Sequence, residues 1–153
     1  MEIFIRTAQV DEADNLNRIA FAAKRYWQYP EAWIELWSDE LTITGDYIQA
    51  NDVYCASIGN AAVGWYALIR SGDVIELDYF WVLPEKIGRE VGTAMMRHAK
   101  GLFSNSQAEA MTVISDPTAE GFYLKMGFEK VGMHPSIPEG RFIPILTFTK
   151  EIL

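Results

Sequence analysis

A single cysteine, Cys55, stands in a chain of 153 residues. One thiol excludes an intramolecular disulfide and a zinc cluster built on cysteines. Histidine is nearly as scarce: His98 and His134 are the two in the chain, and isolated from one another they make no metal site. Positive charge is also short. Thirteen Lys and Arg against 21 Asp and Glu leave a formal charge of −8, which argues against general binding to a nucleic-acid backbone, since that binding is driven by Lys and Arg. A local anion site made from backbone amides is not excluded by net charge. No apolar run approaches the roughly 18 residues of a membrane span. The opening MEIFIRT lacks the basic start and long apolar stretch of a signal peptide. Together these absences lead to the expectation of a cytoplasmic protein with neither a nucleic acid nor a membrane as partner.

What is present suffices for a core. Half of the residues are hydrophobic and 13% are aromatic, and the length suits one domain over residues 1–153. Residues 2–6 read as a short strand. Asp11 is placed to cap a helix whose stripe is Leu16, Ile19, Ala20, Ala23 and Trp27. Pro30 breaks that helix and starts a second, with Trp33, Leu36 and Trp37 on one face, and Thr44 to Gln49 suggest a further helical turn. The period then changes. Residues 52–58, 62–70 and 74–82 are rich in β-formers and are separated by Gly59-Asn60 and Ser71-Gly72-Asp73, which predicts an antiparallel meander. A helix follows from about Gly88 to Phe103, with Val91, Met95, His98 and Leu102 sharing a face. After it come a strand at 110–115, a helix begun by Asp116-Pro117 and ended by Gly127, and strands near 128–133 and 142–150 joined by a Pro- and Gly-containing linker. The pattern is that of an α+β sheet covered by helices.

Two stretches carry chemistry. In VLPEKIGREVGTAMM, residues 82–96, glycines 88 and 92 flank a helix start, where free amides and the positive end of the helix dipole suit a diphosphate. Taken alone, two such glycines are more often loop and packing residues, and the dinucleotide fingerprint G-x-G-x-x-G is absent. In DPTAEGFYLKMGFEKVG, residues 116–132, Tyr123 falls one turn before a helix end. There it is either a core residue with a satisfied hydroxyl or a proton donor.

Together the stretches resemble the GNAT superfamily of acyl-CoA-dependent N-acyltransferases. Val82-Leu83-Pro84 matches the family's strand end and Gly92 the last glycine of its helix-start motif. Ala119, Phe122-Tyr123, Lys125 and Gly127-Phe128 match its second block. The likeness covers roughly residues 52–132; the first fifty residues match in layout only. Three positions depart from the pattern: Ile87 where Gln or Arg is usual, Glu90 where Gly is usual, and Asp116 where Asn is frequent.

The resemblance implies a single α+β domain with a mixed central sheet of six to seven strands and about four flanking helices. It implies acetyl-CoA as co-substrate and a primary amine, preferably of a small molecule, as acceptor; protein N-termini and lysines remain open as acceptors. Its diphosphate is expected on the backbone from Gly88 through Arg89, Glu90, Val91, Gly92 and Thr93 to Ala94, with Val82, Asp116 and Phe122 as further cofactor-binding residues. Its pantetheine arm is expected between the strand ending at Val82 and that at 110–115. Tyr123 occupies the family's general-acid position, and Glu76 and Asp78, on one face of a strand, are candidate bases. No metal is expected. Members of this family often form homodimers. Ile87 and Glu90 motivate a second reading, a CoA-binding sensor or assembly module without turnover. An acyl-cysteine route through Cys55 lacks an activating neighbour in sequence, and the aromatics at 26–37, with Glu31 and Glu35, are either core or a cradle for a cationic amine.

Overall fold

The computed structural model describes residues 2–88 and 90–150. In chain order it contains β1 (Phe4–Thr7), α1 (Ala13–Tyr26), α2 (Glu31–Leu36), α3 (Ser38–Leu41), α4 (Gly45–Ala50), β2 (Asp52–Ile58), β3 (Ala61–Ser71), β4 (Val74–Val82), α5 (Val91–Ser104), β5 (Ala110–Ile114), α6 (Glu120–Lys125), β6 (Glu129–Pro135) and β7 (Phe142–Thr149). The seven strands form one sheet in the order β1-β2-β3-β4-β5-β7-β6. It is mixed: β1 and β2 are antiparallel, β4 and β5 parallel, and β7 antiparallel to both β5 and β6. The α+β class and strand number expected from the sequence are found. Among the described residues there are six α-helical segments rather than about four, because the stretch from Glu31 to Ala50 breaks into three short helices.

The described residues fall into two compact units. One takes the chain up to Ala67 and again from Tyr79 to Met95; the other takes Leu68–Asp78 and the chain from Met96 onward. In the first unit, α1 buries Leu16, Ile19, Ala20 and Ala23 as its spacing predicts, but Trp27 lies beyond the helix and is exposed. Asp11 falls inside a 3-10 turn, Val10–Glu12, instead of capping α1. Thr44 does cap α4, accepting the Tyr47 N–H at 3.1 Å. On β3, Trp65 and Tyr66 point to opposite faces and are both fully buried. Trp65 donates its indole N–H to Leu16 O at 2.8 Å and meets the ring of Tyr79, while Tyr66 lies between Tyr54 and Phe80. A strand buried on both faces is a rigid platform, and α2 and α3 add a cluster of Ile34, Trp37 and Leu41. That cluster corrects the face expected of the second helix: Leu36 is exposed and Ile34 takes its place.

In the second unit, β5 pairs on one side with β4, from Val74↔Ala110 to Leu77↔Val113, and on the other with β7. Met111, Val113 and Leu146 are buried there, and Phe103, Phe148 and Phe128 form a chain of ring contacts at 5.9 and 5.4 Å. The buried stripe of α5 runs from Val91 and Met95, in the first unit, to Met96, Ala99 and Phe103, in the second. It is rotated by about one residue from the expected face, which leaves His98 and Leu102 half-buried at its margin.

One close approach fixes where α5 starts. A Cβ at Gly64 of β3 would lie 2.8 Å from Trp81 O, 2.9 Å from the Met95 sulfur and 3.4 Å from a Val91 methyl. The missing side chain is what lets the first turns of α5 seat on β3. Met95 can swing away from an added methyl, but the Trp81 carbonyl belongs to the main chain. Gly64→Ala is therefore expected to destabilise the protein by about 1–3 kcal/mol, as overpacking of cores does. Urea unfolding measures this, and an unchanged midpoint would show that β3 and α5 have slack.

Candidate active site

The residues singled out in the sequence form two sets, one in each unit. In the first unit β4 ends at Val82, and Leu83 donates its N–H to Val63 O at 2.8 Å, tying the strand end to β3. A 3-10 turn, Pro84–Lys86, leads to Gly88, whose φ of +80° is left-handed and whose Cβ position is open space. Arg89 lies outside the described residues. Glu90 has a φ of +68°, a conformation that is natural for glycine and strained for other residues. The helix begins at Val91, not near Gly88, and its first ladder bond runs from Ala94 N–H to Glu90 O at 2.9 Å. Glu90 is thus a left-handed residue at the helix boundary instead of a first-turn residue. The N–H groups of Val91, Gly92 and Thr93 precede the ladder, as the first amides of any helix do.

The second unit holds the ionisable groups. Glu76 and Asp78 alternate with buried Ile75 and Leu77 on β4. Burial, reinforced by Asp78, holds the Glu76 carboxyl above its ordinary range. The parallel ladder with β5 stops at Leu77, one residue past Glu76, while β4 continues to Val82. Asp116 caps the turn before α6: one carboxylate oxygen accepts the Thr118 N–H at 2.9 Å and the Thr118 hydroxyl at 2.6 Å. Tyr123 is buried, its ring meeting Phe122 and Phe128, each at 5.4 Å. Burial first, then the charge of Asp116, pushes its phenol well above the ordinary tyrosine range. The helix ends where the sequence indicates. Tyr123 O accepts the N–H groups of Met126 and Phe128, Gly127 takes a φ of +93°, and Lys100 donates to Met126 O.

One residue at this second set was not singled out from the sequence. Arg141, just before β7, places Nη2 3.7 Å from the Asp116 carboxylate, and both side chains are largely buried. A signal was present: a carboxylate at 116, where the related family frequently carries a neutral amide, calls for a counter-charge.

The remaining candidates resolve differently. Cys55 is buried and donates to Glu12 at 3.2 Å, and burial together with Glu12 pushes its thiol up to about 12, so it is no nucleophile at neutral pH. His134 lies on β6 opposite Ile143, not in the linker. The aromatic stretch is built around a cation of the chain itself: Lys24 Nζ sits 4.3 Å from the Trp37 ring centroid and 5.1 Å from that of Tyr29, and Arg25 holds Glu31 at 2.8 Å. Lys24 thus takes one face of each of these two rings. Trp81, packed on the same cluster, buries an indole N–H with no hydrogen-bond partner among the described residues. No group of three His, Cys, Asp or Glu among the described residues is placed to hold a metal ion. No described helix is long and apolar enough to cross a membrane.

The acetyltransferase (GNAT) domain family matches residues 28–144 of the chain. Comparison with curated proteins found no match. Among solved structures, the chain is similar to the PaiA N-acetyltransferase of Thermoplasma acidophilum in complex with coenzyme A, with a TM-score of 0.78 at 16% identity over 98% of this chain and 100% of that one. A GCN5-related N-acetyltransferase of Rhodopseudomonas palustris gives 0.82 at 20% identity, covering 98% and 97%. YncA of Salmonella typhimurium, solved with its cofactor acetyl-CoA, gives 0.72 at 15%, covering 100% and 97%.

The left-handed backbone at Glu90 reverses an ordinary expectation. In a helix interior Glu→Gly costs about 1 kcal/mol. Here glycine relieves strain on the order of 1 kcal/mol, which offsets its larger entropy in the unfolded chain. Urea unfolding of Glu90→Gly is expected to stay within about 0.5 kcal/mol of the parent, which is the scatter typical of surface changes. A loss of the full helical amount would mean that Glu90 is a helical residue in solution.

Proposed function

The chain belongs to the GNAT acetyltransferase family, and on that premise we propose that it transfers the acetyl group of acetyl-CoA directly onto the primary amine of a small molecule. The observation that carries the reading is Tyr123: a buried phenol, kept protonated by its surroundings, at the end of α6. The same proposal takes residues 1–153 as one catalytic domain, the cytoplasm as location and a homodimer as assembly.

The residues at the start of α5 fit a diphosphate. Three amides precede the helix ladder, the helix dipole adds positive potential, and Gly88 leaves open space beside the main chain. Of the residues that the family resemblance names for the cofactor, Val82 and Gly88 to Ala94 belong to the first unit, and Asp116 and Phe122 to the second. Acetyl-CoA supplies, when bound, an activated thioester carbon. Glu76 takes a proton from the attacking amine, directly or through water. Its raised proton affinity makes it a better base than an exposed glutamate, at the cost of needing a higher pH to be ionised. Asp78 contributes by repelling the ionised form. Tyr123 gives its proton to the leaving sulfur, so that coenzyme A departs as the thiol.

A second reading, a CoA-binding module without turnover, draws on Glu90, whose carboxylate stands at the turn that a diphosphate would use. The two are separated by a thiol-release assay over a library of amines and peptides. Saturable CoA binding with no release for any acceptor would favour the module.

Two variants test the roles. Tyr123→Phe keeps the ring and its packing, so kcat should fall on the order of 10²-fold or more while acetyl-CoA affinity holds. An unchanged kcat with chemistry rate-limiting removes Tyr123 from the mechanism. For Glu76 the sign follows from its raised pKa: the base is lost as pH falls through a value above the ordinary glutamate range. The acid limb of kcat/KM should sit there, and Glu76→Gln should abolish that limb along with most of the rate. Persistence of the limb in Glu76→Gln would assign the base elsewhere.

A further inference from the structure

Three polar aromatic groups share one face of the β3–β4 pair. The Trp65 ring meets that of Tyr79 at 5.2 Å, and Trp81 lies two residues further along β4 on the same side. Two of the three have a main-chain acceptor: Trp65 donates to Leu16 O at 2.8 Å, and Tyr79 donates to Glu40 O at 2.5 Å. The third does not. The indole nitrogen of Trp81 is shut off from solvent and has no hydrogen-bond partner among the described residues. A buried donor left unpaired is costly, and native chains leave few of them.

The surroundings indicate what would satisfy it. Trp81 packs on Ile34, Trp37 and Leu41, as do Phe21, Tyr29 and Trp33. The side chains of Phe21, Ile34 and Leu41 carry no polar atom, and those of the tryptophans are donors only. A single water would find too few of the roughly two to four partners that hold a buried water in place. An oxygen acceptor on an apolar body fits better, because the body meets the rings while the oxygen meets the N–H. Lys24 narrows the choice. Its ammonium lies 4.3 Å from the Trp37 ring centroid and 5.1 Å from that of Tyr29, so the cluster disfavours a second cation. An amine that entered would direct its oxygen toward the cluster and its nitrogen away from it.

Trp81 is also well held. Its carbonyl stands 2.8 Å from where a Cβ of Gly64 would lie, so the main chain at 81 is seated on β3. It directly precedes Val82, the end of β4 and one of the residues named above for the cofactor. Access does not require the core to open. Phe21, Tyr29, Trp33 and Trp81 are only partly buried. The link that carries Tyr29 is mostly exposed, Gln28 within it has a left-handed φ of +60°, and α2 begins without a side-chain cap. A surface ring that turns aside uncovers the N–H.

We propose that Trp81 selects the acceptor: its Nε1–H donates to a carbonyl or carboxylate oxygen of a primary amine whose apolar, ring-sized body rests against Phe21, Tyr29 and Trp33. The fate of the amine rests on the acetyltransferase reading; its binding requires no turnover. Trp81 in this role is neither acid nor base. It sets which amines are held.

The probes are phenylalanine amide, phenylalanine and phenethylamine, which share a ring and an amine and carry a carbonyl, a carboxylate or neither. In protein with 15N-labelled tryptophan, the Trp81 indole signal is assigned by its absence in Trp81→Phe. Phenylalanine amide or phenylalanine at millimolar concentration should move that signal downfield, and whichever moves it at the lower concentration identifies the oxygen preferred. Phenethylamine should bind at least about tenfold more weakly, since a site built to hydrogen-bond a group rejects the analogue that lacks it. Benzothienylalanine at position 81 replaces the indole N–H by sulfur and keeps the shape. It should raise KM for the preferred oxygen-bearing probe about tenfold, leave kcat and the KM for acetyl-CoA within about twofold, and not affect phenethylamine. Urea unfolding separates this from a structural role. With no bond to lose, the free protein carrying benzothienylalanine should be at least as stable as the parent. A clear loss of stability would mean that the N–H is already bonded, to a buried water or to the chain, and would overturn the proposal. So would an indole signal that none of the three probes moves, or equal binding of all three. Turnover of amines without regard to the oxygen would sink this proposal and keep the acetyltransferase reading. An indole shift without turnover of any amine would support the subsite and count against that reading.

Discussion

The absence of a side chain at position 64 is the constraint on which the first unit depends. β3 is buried on both faces and carries Trp65 and Tyr66, so any element laid on it must fit a surface already full of rings. Gly64 is the gap in that surface. The Trp81 carbonyl, the Met95 sulfur and a Val91 methyl crowd the space that a side chain there would need. That approach sets the height at which α5 begins, and hence which amides precede its hydrogen-bond ladder. A helix start is an anion site only if its amides face outward and its first turn is held still. Packing at Gly64 and the Leu83–Val63 hydrogen bond supply the second condition.

A strongly acidic chain has to place its few cations with care, and most of the buried ones are already spoken for. Lys24 lies over the rings of Tyr29 and Trp37, Lys100 closes the end of α6, and Arg141 faces Asp116. Each offsets a desolvation that would otherwise be unfavourable: aromatic faces for an ammonium, helix carbonyls for a second, a carboxylate for a guanidinium. This use of charge changes what the aromatic stretch near Trp33 can do. The Tyr29 and Trp37 rings already hold an internal cation, so a cationic acceptor approaching those two rings would meet like charge.

The turn before α5 shows a local conflict resolved by the surrounding structure. Gly88 and Glu90 both adopt left-handed backbone, yet only one of them is a glycine. The strain at Glu90 is small compared with the packing of Val91 and Met95 one turn later, and the main chain follows the packing. The conformation that a glycine would take freely is thus retained with a charged side chain in its place.

Much of this protein follows from local sequence alone. The change from helical spacing to β-rich segments at residue 52, the punctuation at Gly59 and Gly72, and the Gly127 boundary of α6 all mark elements where they occur, while Pro117 opens the 3-10 turn that precedes α6. Backbone sterics and side-chain alternation act over a few residues, so they are visible in a linear string. Tyr123 and Gly88 to Ala94 were picked out by resemblance to a family pattern, and their roles remain part of the proposal. What only the tertiary structure decided are matters of long-range packing: the face of α5 that is buried, the breaking of Glu31 to Ala50 into three helices, the replacement of Leu36 by Ile34 in the core, and the left-handed backbone at Glu90. The same holds for Arg141, whose partner lies 25 residues earlier. A counter-charge is required by the low polarizability of the interior, but Coulomb's law does not specify which part of the chain provides it. That choice belongs to the β6–β7 turn, and the sequence expresses it only once folded.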